Sequence, residues 1–400
     1  MRENWVEIQY KDIVKKISLS NKKLKQKEYL PSGKIPVIDQ GQELIGGYTD
    51  DESKLLDCKL PCVVFGDHTK IVKLINFPFA SGADGTKVIE PKKYLEPKLL
   101  KYFTEVLALK IKDKGYARHY QDIEKSNILI PPKLEQKEII AKIEQLFSEL
   151  DNGIENLKTS QAKLKIYRQA VLKKAFEGEL TKEWRNKNSI DFDWNTIPLK
   201  NAKENVSTTN RKLLQKEYAI SKGNIPVIDQ GQELIGGYSE KKELMIEASK
   251  YPHIVFGDHT KIIKYIDFDF IAGADGTKIM KPLKAFIPKL FFYFIHSIKI
   301  PNKGYARHFQ FLEKSKIPVP PINEQKKMLE EIEVKLSVCE KIEKTIEVSL
   351  SKSEALRQSI LKKAFEGNLL SQQELINIKS HPKFESAEAL LERIKKEREQ

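Results

Sequence analysis

Hydrogen-bonding and cationic side chains recur along this chain in matched blocks. Lys114-Gly-Tyr-Ala-Arg-His119 returns at Lys303 to His308. Arg118 and Arg307 are suited to a two-pronged contact with guanine or to gripping a phosphate, and Gly115 lets the backbone come close. Lys114, Tyr116 and His119, with Lys303, Tyr305 and His308, complete this candidate nucleic-acid contact. The alternative is a solvated basic loop; retention of the block while its flanks changed favours contact. Phe65-Gly-Asp-His-Thr-Lys-Ile71 returns at Phe256 to Ile262. It reads as a strand ending in a turn, with His68, Thr69 and Lys70, and His259, Thr260 and Lys261, at the tip. Asp67 is expected to bond turn amides. In Gly82-Ala-Asp-Gly-Thr-Lys87, repeated at Gly273 to Lys278, Gly85 shapes a turn and Lys87 and Lys278 reach for phosphate. Gln40 and Gln42, with Gln230 and Gln232, can read adenine edges; equally, the Gly46-Gly47 turn can serve to position Tyr48.

Catalytic patterns are weaker. Asp84, Glu90 and Lys92 imitate a nuclease D…ExK set, but the second copy keeps only Asp275, with Lys281 and Leu283 at the other two places. A triplet lost from one copy amid unchanged surroundings is accidental. GxxxxGK[ST] is absent, as are a glycine-rich strand-to-helix fingerprint and the Asn-Pro-Pro-aromatic stretch of an aminomethyltransferase. One Asp and one His per copy make a poor metal site. The chain reads as a binder without chemistry of its own.

The elements that carry these residues also come twice. Ile35-Pro-Val-Ile-Asp-Gln-Gly-Gln-Glu-Leu-Ile-Gly-Gly-Tyr48 reappears unchanged at Ile225 to Tyr238, 190 residues on. That period exceeds the 20–50 residues of a solenoid repeat, so each copy is a module. Strands are expected at Trp5–Tyr10, 35–37, 63–65 and 71–79, a short helix near Lys11–Ile17, and a helix over 99–109. Pro131-Pro132 stops the first module, Pro320-Pro321 the second. Beyond each, apolar residues step by four and three, the coiled-coil period. The first seam is 143, 147, 150, 154, 157, 161, 164, 168, 171 and 175, with Gln161 and Arg168 as polar exceptions. The second carries Ile332, Leu336, Cys339, Ile346, Leu350, Ile360 and Ala364. A helix over about 134–176 spans about 65 Å, and Gly178 ends it. Residues 179–193 read as a polar linker, and a short charged helix lies after Pro382.

The predicted architecture is α+β. Two similar mixed α/β domains are joined by a pair of long antiparallel helices, a coiled coil, with pseudo-twofold symmetry. The divisions fall at 1–132, 133–180, 181–321, 322–370 and 371–400. A net charge of +14 and a pI near 9.2 favour a polyanionic partner. Cys58, Cys62 and Cys339 have no pairing logic and suit reduced thiols. The N-terminus lacks a signal-peptide core, and apolar runs such as Phe291–Ile295 are far too short for a membrane span, so a cytoplasmic location without membrane contact is expected.

Two globular regions, each followed by a long helix, resemble the specificity subunit of type I restriction-modification enzymes. Ile128-Leu-Ile-Pro-Pro-Lys-Leu-Glu-Gln136 and Ile317-Pro-Val-Pro-Pro-Ile-Asn-Glu-Gln325 are similar to a family pattern, with Leu129 departing from it. So are Arg168–Leu180 with Thr181-Lys-Glu-Trp-Arg185, Arg357–Gly367, and the tail Leu390–Glu397. The resemblance implies target recognition domains that each read half of a bipartite site on double-stranded DNA. It also implies helices that space the halves and dock two modification subunits. The chain itself would hold no cofactor. S-adenosylmethionine would belong to the modification subunits, which methylate adenine, and ATP to the restriction/translocase subunits. Here the two domains are near-duplicates, whereas those of family members usually differ strongly from each other. Near-identical inverted half-sites, about 10 bp centre to centre by analogy with dimeric readers, are therefore expected. A coiled-coil scaffold with basic protein-binding ends, and a stand-alone nuclease, are the rival readings.

Overall fold

A computed structural model of the chain describes residues 4–82, 85–112, 118–218, 223–301, 304 and 306–398. The chain divides into two compact units, one of 1–156 with 348–400 and the other of 157–347. Each therefore contains one globular module and one end of each long helix.

In the first unit, β1 (Val6–Gln9) alternates buried and exposed residues, the period-2 pattern of a strand with one face covered. The chain continues through β2 (Val14–Lys16), β3 (Lys23–Leu24), β4 (Ile35–Ile38), β5 (Gly47–Thr49) and β6 (Cys62–Gly66) to β7 (Val72–Ile75), β8 (Ala80–Gly82) and β9 (Thr86–Pro91). Then come α1 (Pro97–Lys110), α2 (Tyr120–Glu124) and β10 (Asn127–Ile130), which leads into α3 (Lys133–Phe176). β1 pairs antiparallel with β10, Val6 opposite Ile130. β2-β9-β6-β7 form an antiparallel sheet, and β3-β8-β4-β5 a mixed one in which β8 runs parallel to both neighbours. β6 is buried along its length. Its Val63 and Phe65 pack toward α1, and its Cys62 and Val64 toward Ile38, Phe79 and Val88.

The second unit repeats this plan. After α4 (Lys182–Lys187), β11 (Asn195–Pro198), β12 (Lys203–Val206), β13 (Lys212–Leu213), α5 (Gln215–Tyr218), β14 (Ile225–Ile228) and β15 (Gly237–Ser239) come β16 (His253–Gly257), β17 (Ile263–Ile266), β18 (Ile271–Gly273) and β19 (Thr277–Pro282). α6 (Pro288–Ser297), α7 (Phe309–Glu313) and β20 (Lys316–Val319) lead to α8 (Ile322–Phe365), followed by α9 (Gln372–Lys379) and α10 (Ala387–Arg398). The sheets are β11-β20, β12-β19-β16-β17 and β13-β18-β14-β15, strand for strand the order of the first unit.

α3 and α8 each run 44 residues, about 66 Å at 1.5 Å per residue. Every predicted seam position is buried or half-buried. In the first unit Asp151 pairs with Arg357 while Ile143 shares a core with Ile360, Leu361 and Ala364, so the two helix segments run antiparallel. In the second, Arg168 bonds Glu343 at 2.8 Å while Leu172 and Ala175 share a core with Met328 and Ile332, again antiparallel. Both helices end on a left-handed glycine, Gly178 and Gly367. Glu179 N–H reaches back to Lys174 O (2.9 Å) and Asn368 N–H to Lys363 O (2.7 Å), closing off orphan carbonyls.

The Glu-Gln pair after each proline pair fastens module to helix. Gln136 Nε2 donates to the Tyr94 and Pro131 carbonyls and its Oε1 accepts from Glu96 N, each at 2.9 Å. Gln325 does the same with Ala285, Pro320 and Ile287. The indoles of Trp5 and Trp194 donate to Glu135 (3.0 Å) and Glu324 (2.9 Å).

Three local expectations change. The helix expected at Lys11–Ile17 is a single 3-10 turn over Tyr10–Asp12, after which Val14–Lys16 is captured as a strand by β9. The strand expected over 71–79 stops at Ile75, because Phe77 and Phe79 turn into the core below β6. Residues 179–193 are more than a linker. α4 buries Arg185, which pairs with Glu324 and stacks at 4.6 Å on Phe192. In the first unit, Leu390 and Ile394 of α10 join the core that covers β1.

Candidate nucleic-acid interface

Three of the repeated blocks meet at one residue, and a fourth joins beside it. Asp67 follows β6 and is 2 % exposed. Its N–H donates to Gly85 O at 2.6 Å, tying the strand tip to the Gly82–Lys87 turn. Its carbonyl oxygen accepts from His119 N (3.0 Å) and lies 2.8 Å from His119 Nδ1. Since a carbonyl only accepts, Nδ1 carries a proton. Oδ1 accepts from Tyr120 N at 2.8 Å, and Oδ2 lies 3.2 Å from Lys87 Nζ. Asp258 repeats the set with Gly276 O (2.7 Å), His308 N (2.8 Å), His308 Nδ1 (3.0 Å), Phe309 N (2.8 Å) and Lys278 Nζ (3.9 Å).

The Ile35–Tyr48 segment joins through Gln40. Thr69 Oγ1 donates to Gln40 O at 2.7 Å, and His68 N–H to Gln40 Oε1 at 3.3 Å. Thr260, His259 and Gln230 match at 2.8 and 3.3 Å, and Gln230 Nε2 also donates to Asp275 O at 2.9 Å. Gly85 has φ +83°, and a Cβ there would stand 2.6 Å from Gln40 Oε1 and 2.7 Å from His68 Cδ2. Backbone freedom and close approach both require glycine at this turn.

The rest of the Gln40–Gly46 loop hangs on a buried lysine that sequence reasoning missed. Lys73, on β7, donates to Asp39 O (2.8 Å) and Glu43 O (2.5 Å), with Asp39 Oδ1 at 3.7 Å. Lys264 holds Glu233 O (2.5 Å) with Asp229 Oδ1 at 3.5 Å. Desolvation lowers the pKa of both lysines, against the pull of the aspartates. Asp39 also accepts from Gly41 N at 2.9 Å. The available signal was the identical Asp and Lys in both copies.

With the frame fixed, the exposed groups are clear. Gln42, Thr69 and Arg118, and Gln232, Thr260 and Arg307, are exposed; Leu44 and Leu234 are 49 % and 48 % exposed at the loop apex. His68, Lys70, His259 and Lys261 are half-buried at the tips. Lys70 and Lys261 hold φ of 60° and 61°, a conformation costing of order 1 kcal/mol outside glycine. A lysine at that place in both copies points to use of its side chain. Gln40 and Gln230 are half-buried struts. Lys87 and Lys278 keep partial exposure beside their aspartates. Lys114, Tyr116, Lys303 and Tyr305 lie outside the described residues.

Two expected contacts are corrected. His119 and His308 are fully buried. Their rings are engaged by the aspartate carbonyls, so each supports the exposed arginine beside it instead of meeting a ligand. The aromatics that follow, Tyr120 and Phe309, are likewise core, 5.8 Å from Phe65 and Phe256. Glu90, part of the nuclease-like triplet, is 8 % exposed and accepts from Lys59 N at 2.7 Å. Among the described residues no cluster of His, Cys, Asp and Glu could hold a metal ion, and no helix is long and apolar enough to cross a membrane.

A duplicated polar surface, set on a module that is fastened to a long helix, is an arrangement suited to binding. Residues 2–159 match the family described as the type I restriction modification DNA specificity domain. The chain is 26% identical over 345 residues to the type I restriction enzyme StySPI specificity subunit of Salmonella potsdam, covering 78% of this chain and 73% of that one. It is 29% identical over 313 residues to the EcoDI specificity subunit of Escherichia coli, covering 69% and 70%. A chain from a solved structure of a type I R-M system shares the fold at TM-score 0.67 and 16% identity, covering 91% of this chain and 98% of that one. Residues 2–159 thus carry a type I restriction-modification DNA specificity domain, and the chain over most of its length is similar to the specificity subunits of those enzymes.

Proposed function

We propose that each module reads one half of a bipartite DNA site, and that the two half-sites are nearly the same sequence in inverted orientation. The observation that carries this reading is the match of side chains and hydrogen bonds around Asp67 and Asp258. Gln42, Thr69, Lys70 and Arg118 have identical counterparts in Gln232, Thr260, Lys261 and Arg307, and Thr69 and Lys70 are held by the same bonds as Thr260 and Lys261. Equal chemistry in equal frames selects equal bases. The antiparallel helix segments within each unit support inversion. The half-sites sit about one helical turn apart, as in dimeric readers.

The working assembly comprises this chain, two modification subunits and the restriction/translocase subunits, in the cytoplasm. S-adenosylmethionine belongs to the modification subunits and ATP to the translocases. The test is selection of bound sequences from random duplex DNA by the chain assembled with its modification subunits. Two matching inverted motifs are expected; two unrelated motifs would overturn the duplicated-reader proposal.

A further inference from the structure

Beside the reading face of the first module lies a groove of about 670 Å³. Its lining includes Lys16, Lys23, Lys54 and Lys87, with Ser18 and Asn21, and contains no carboxylate. Lys87 belongs to the Asp67 frame, so groove and reading face are continuous. Lys16 is half exposed, with its nearest acid, Glu124, at 4.0 Å. Lys54 Nζ is held at the wall by Asn21 O at 2.9 Å, and Ser18 and Ser20 hydroxyls meet at 3.1 Å.

The second module does not carry the same charge. By alignment Lys16, Lys23, Lys54 and Lys87 correspond to Asn205, Lys212, Leu244 and Lys278. Of the two lysines left, Lys212 is paired with Asp275, and Lys278 stands beside Asp258 as Lys87 stands beside Asp67, so the difference lies at the other three positions. Matching reading loops thus sit beside flanks of different charge.

We infer that the Lys16–Lys23–Lys54–Lys87 groove is a phosphate-binding site for the DNA backbone flanking the half-site of the first module, and that the second module lacks its strength. The inference rests on the DNA-reading proposal above. Four lysines in a lining free of carboxylates, only Lys87 being closely paired with an acid behind it (Asp67, 3.2 Å), suit a phosphodiester, which brings negative charge and accepts hydrogen bonds. Such contacts add affinity without sequence preference, because every duplex presents the same phosphates. The two halves would then contribute equally to specificity and unequally to affinity.

The test exchanges residues between modules, so that each position receives a residue a sister module already accommodates. Lys16→Asn with Lys54→Leu, and separately Asn205→Lys with Leu244→Lys, are assembled with the modification subunits. Binding to the selected duplex and to an unrelated duplex is followed across salt concentrations. Loss of the two lysines should make the slope of log Kobs against log[salt] shallower by about one per lysine, equally on both duplexes, with the selected motif unchanged. The reciprocal pair should steepen it. Slopes equal to the parent, with motif binding intact, would overturn the groove and leave the reading proposal standing. A parent complex that binds no DNA would overturn both.

Discussion

Oδ1 of Asp67 accepts a hydrogen bond from the backbone N–H of Tyr120 at 2.8 Å, across 53 residues of sequence. That bond seats the loop carrying Arg118 on the strand tip carrying His68–Lys70. Asp67→Ala would leave a buried N–H without its acceptor and Lys87 without its partner. The expected cost is about 1–3 kcal/mol, read by urea denaturation. In sequence selection the motif of one half should blur while the other stays sharp. Asp67→Asn, which keeps an acceptor oxygen, should lose less.

Arg118→Ala removes an exposed side chain and no internal support. Stability should stay within about 0.5 kcal/mol. If Arg118 holds a guanine, the complex loses about 1–3 kcal/mol of discrimination at one base position. Arg307→Ala should do the same in the opposite half-site, which sequence selection with each single variant will show.

The Arg185–Glu324 pair is buried on both sides, with side chains 7% and 1% exposed. Arg185→Ala leaves a buried carboxylate with only Thr181 and Trp194 as donors. A loss of about 3–5 kcal/mol is expected. Urea titration should show it, with hydrogen exchange placing the loosening in the second unit.

Acid should also act unevenly. Burial holds His253 and His296 below the ordinary imidazole pKa of 6.5. As pH falls below about 6.5, the unfolded chain binds protons that the folded chain resists, so stability drops until the folded values are passed. Cys62 and Glu105 occupy these places in the first module. Tm should therefore fall between about pH 7 and about pH 5 in the parent, and fall less in His253→Cys with His296→Gln. An equal fall in both proteins would discard this account.

The sequence by itself determined the duplicated plan, the two long helices and the blocks that carry the candidate interface. Each is local information. A seam that steps by four and three needs only helical period, and Pro131-Pro132 and Gly178 act on their own backbone. The exposed set Gln42, Thr69 and Arg118 was equally legible, because these are polar side chains at turns. What the tertiary structure decided is which members of each block face outward. His119 and Arg118 are neighbours of similar chemistry, yet His119 is buried because the Asp67 carbonyl, 52 residues away, is there to receive its Nδ1–H. Lys73 looks in sequence like any strand lysine. It is buried because the Asp39 and Glu43 carbonyls replace its water. The segment 179–193 looks like a linker until Glu324 captures Arg185. In each case a polar group's place depends on a partner far along the chain, and periodicity and turn chemistry carry no record of that distance.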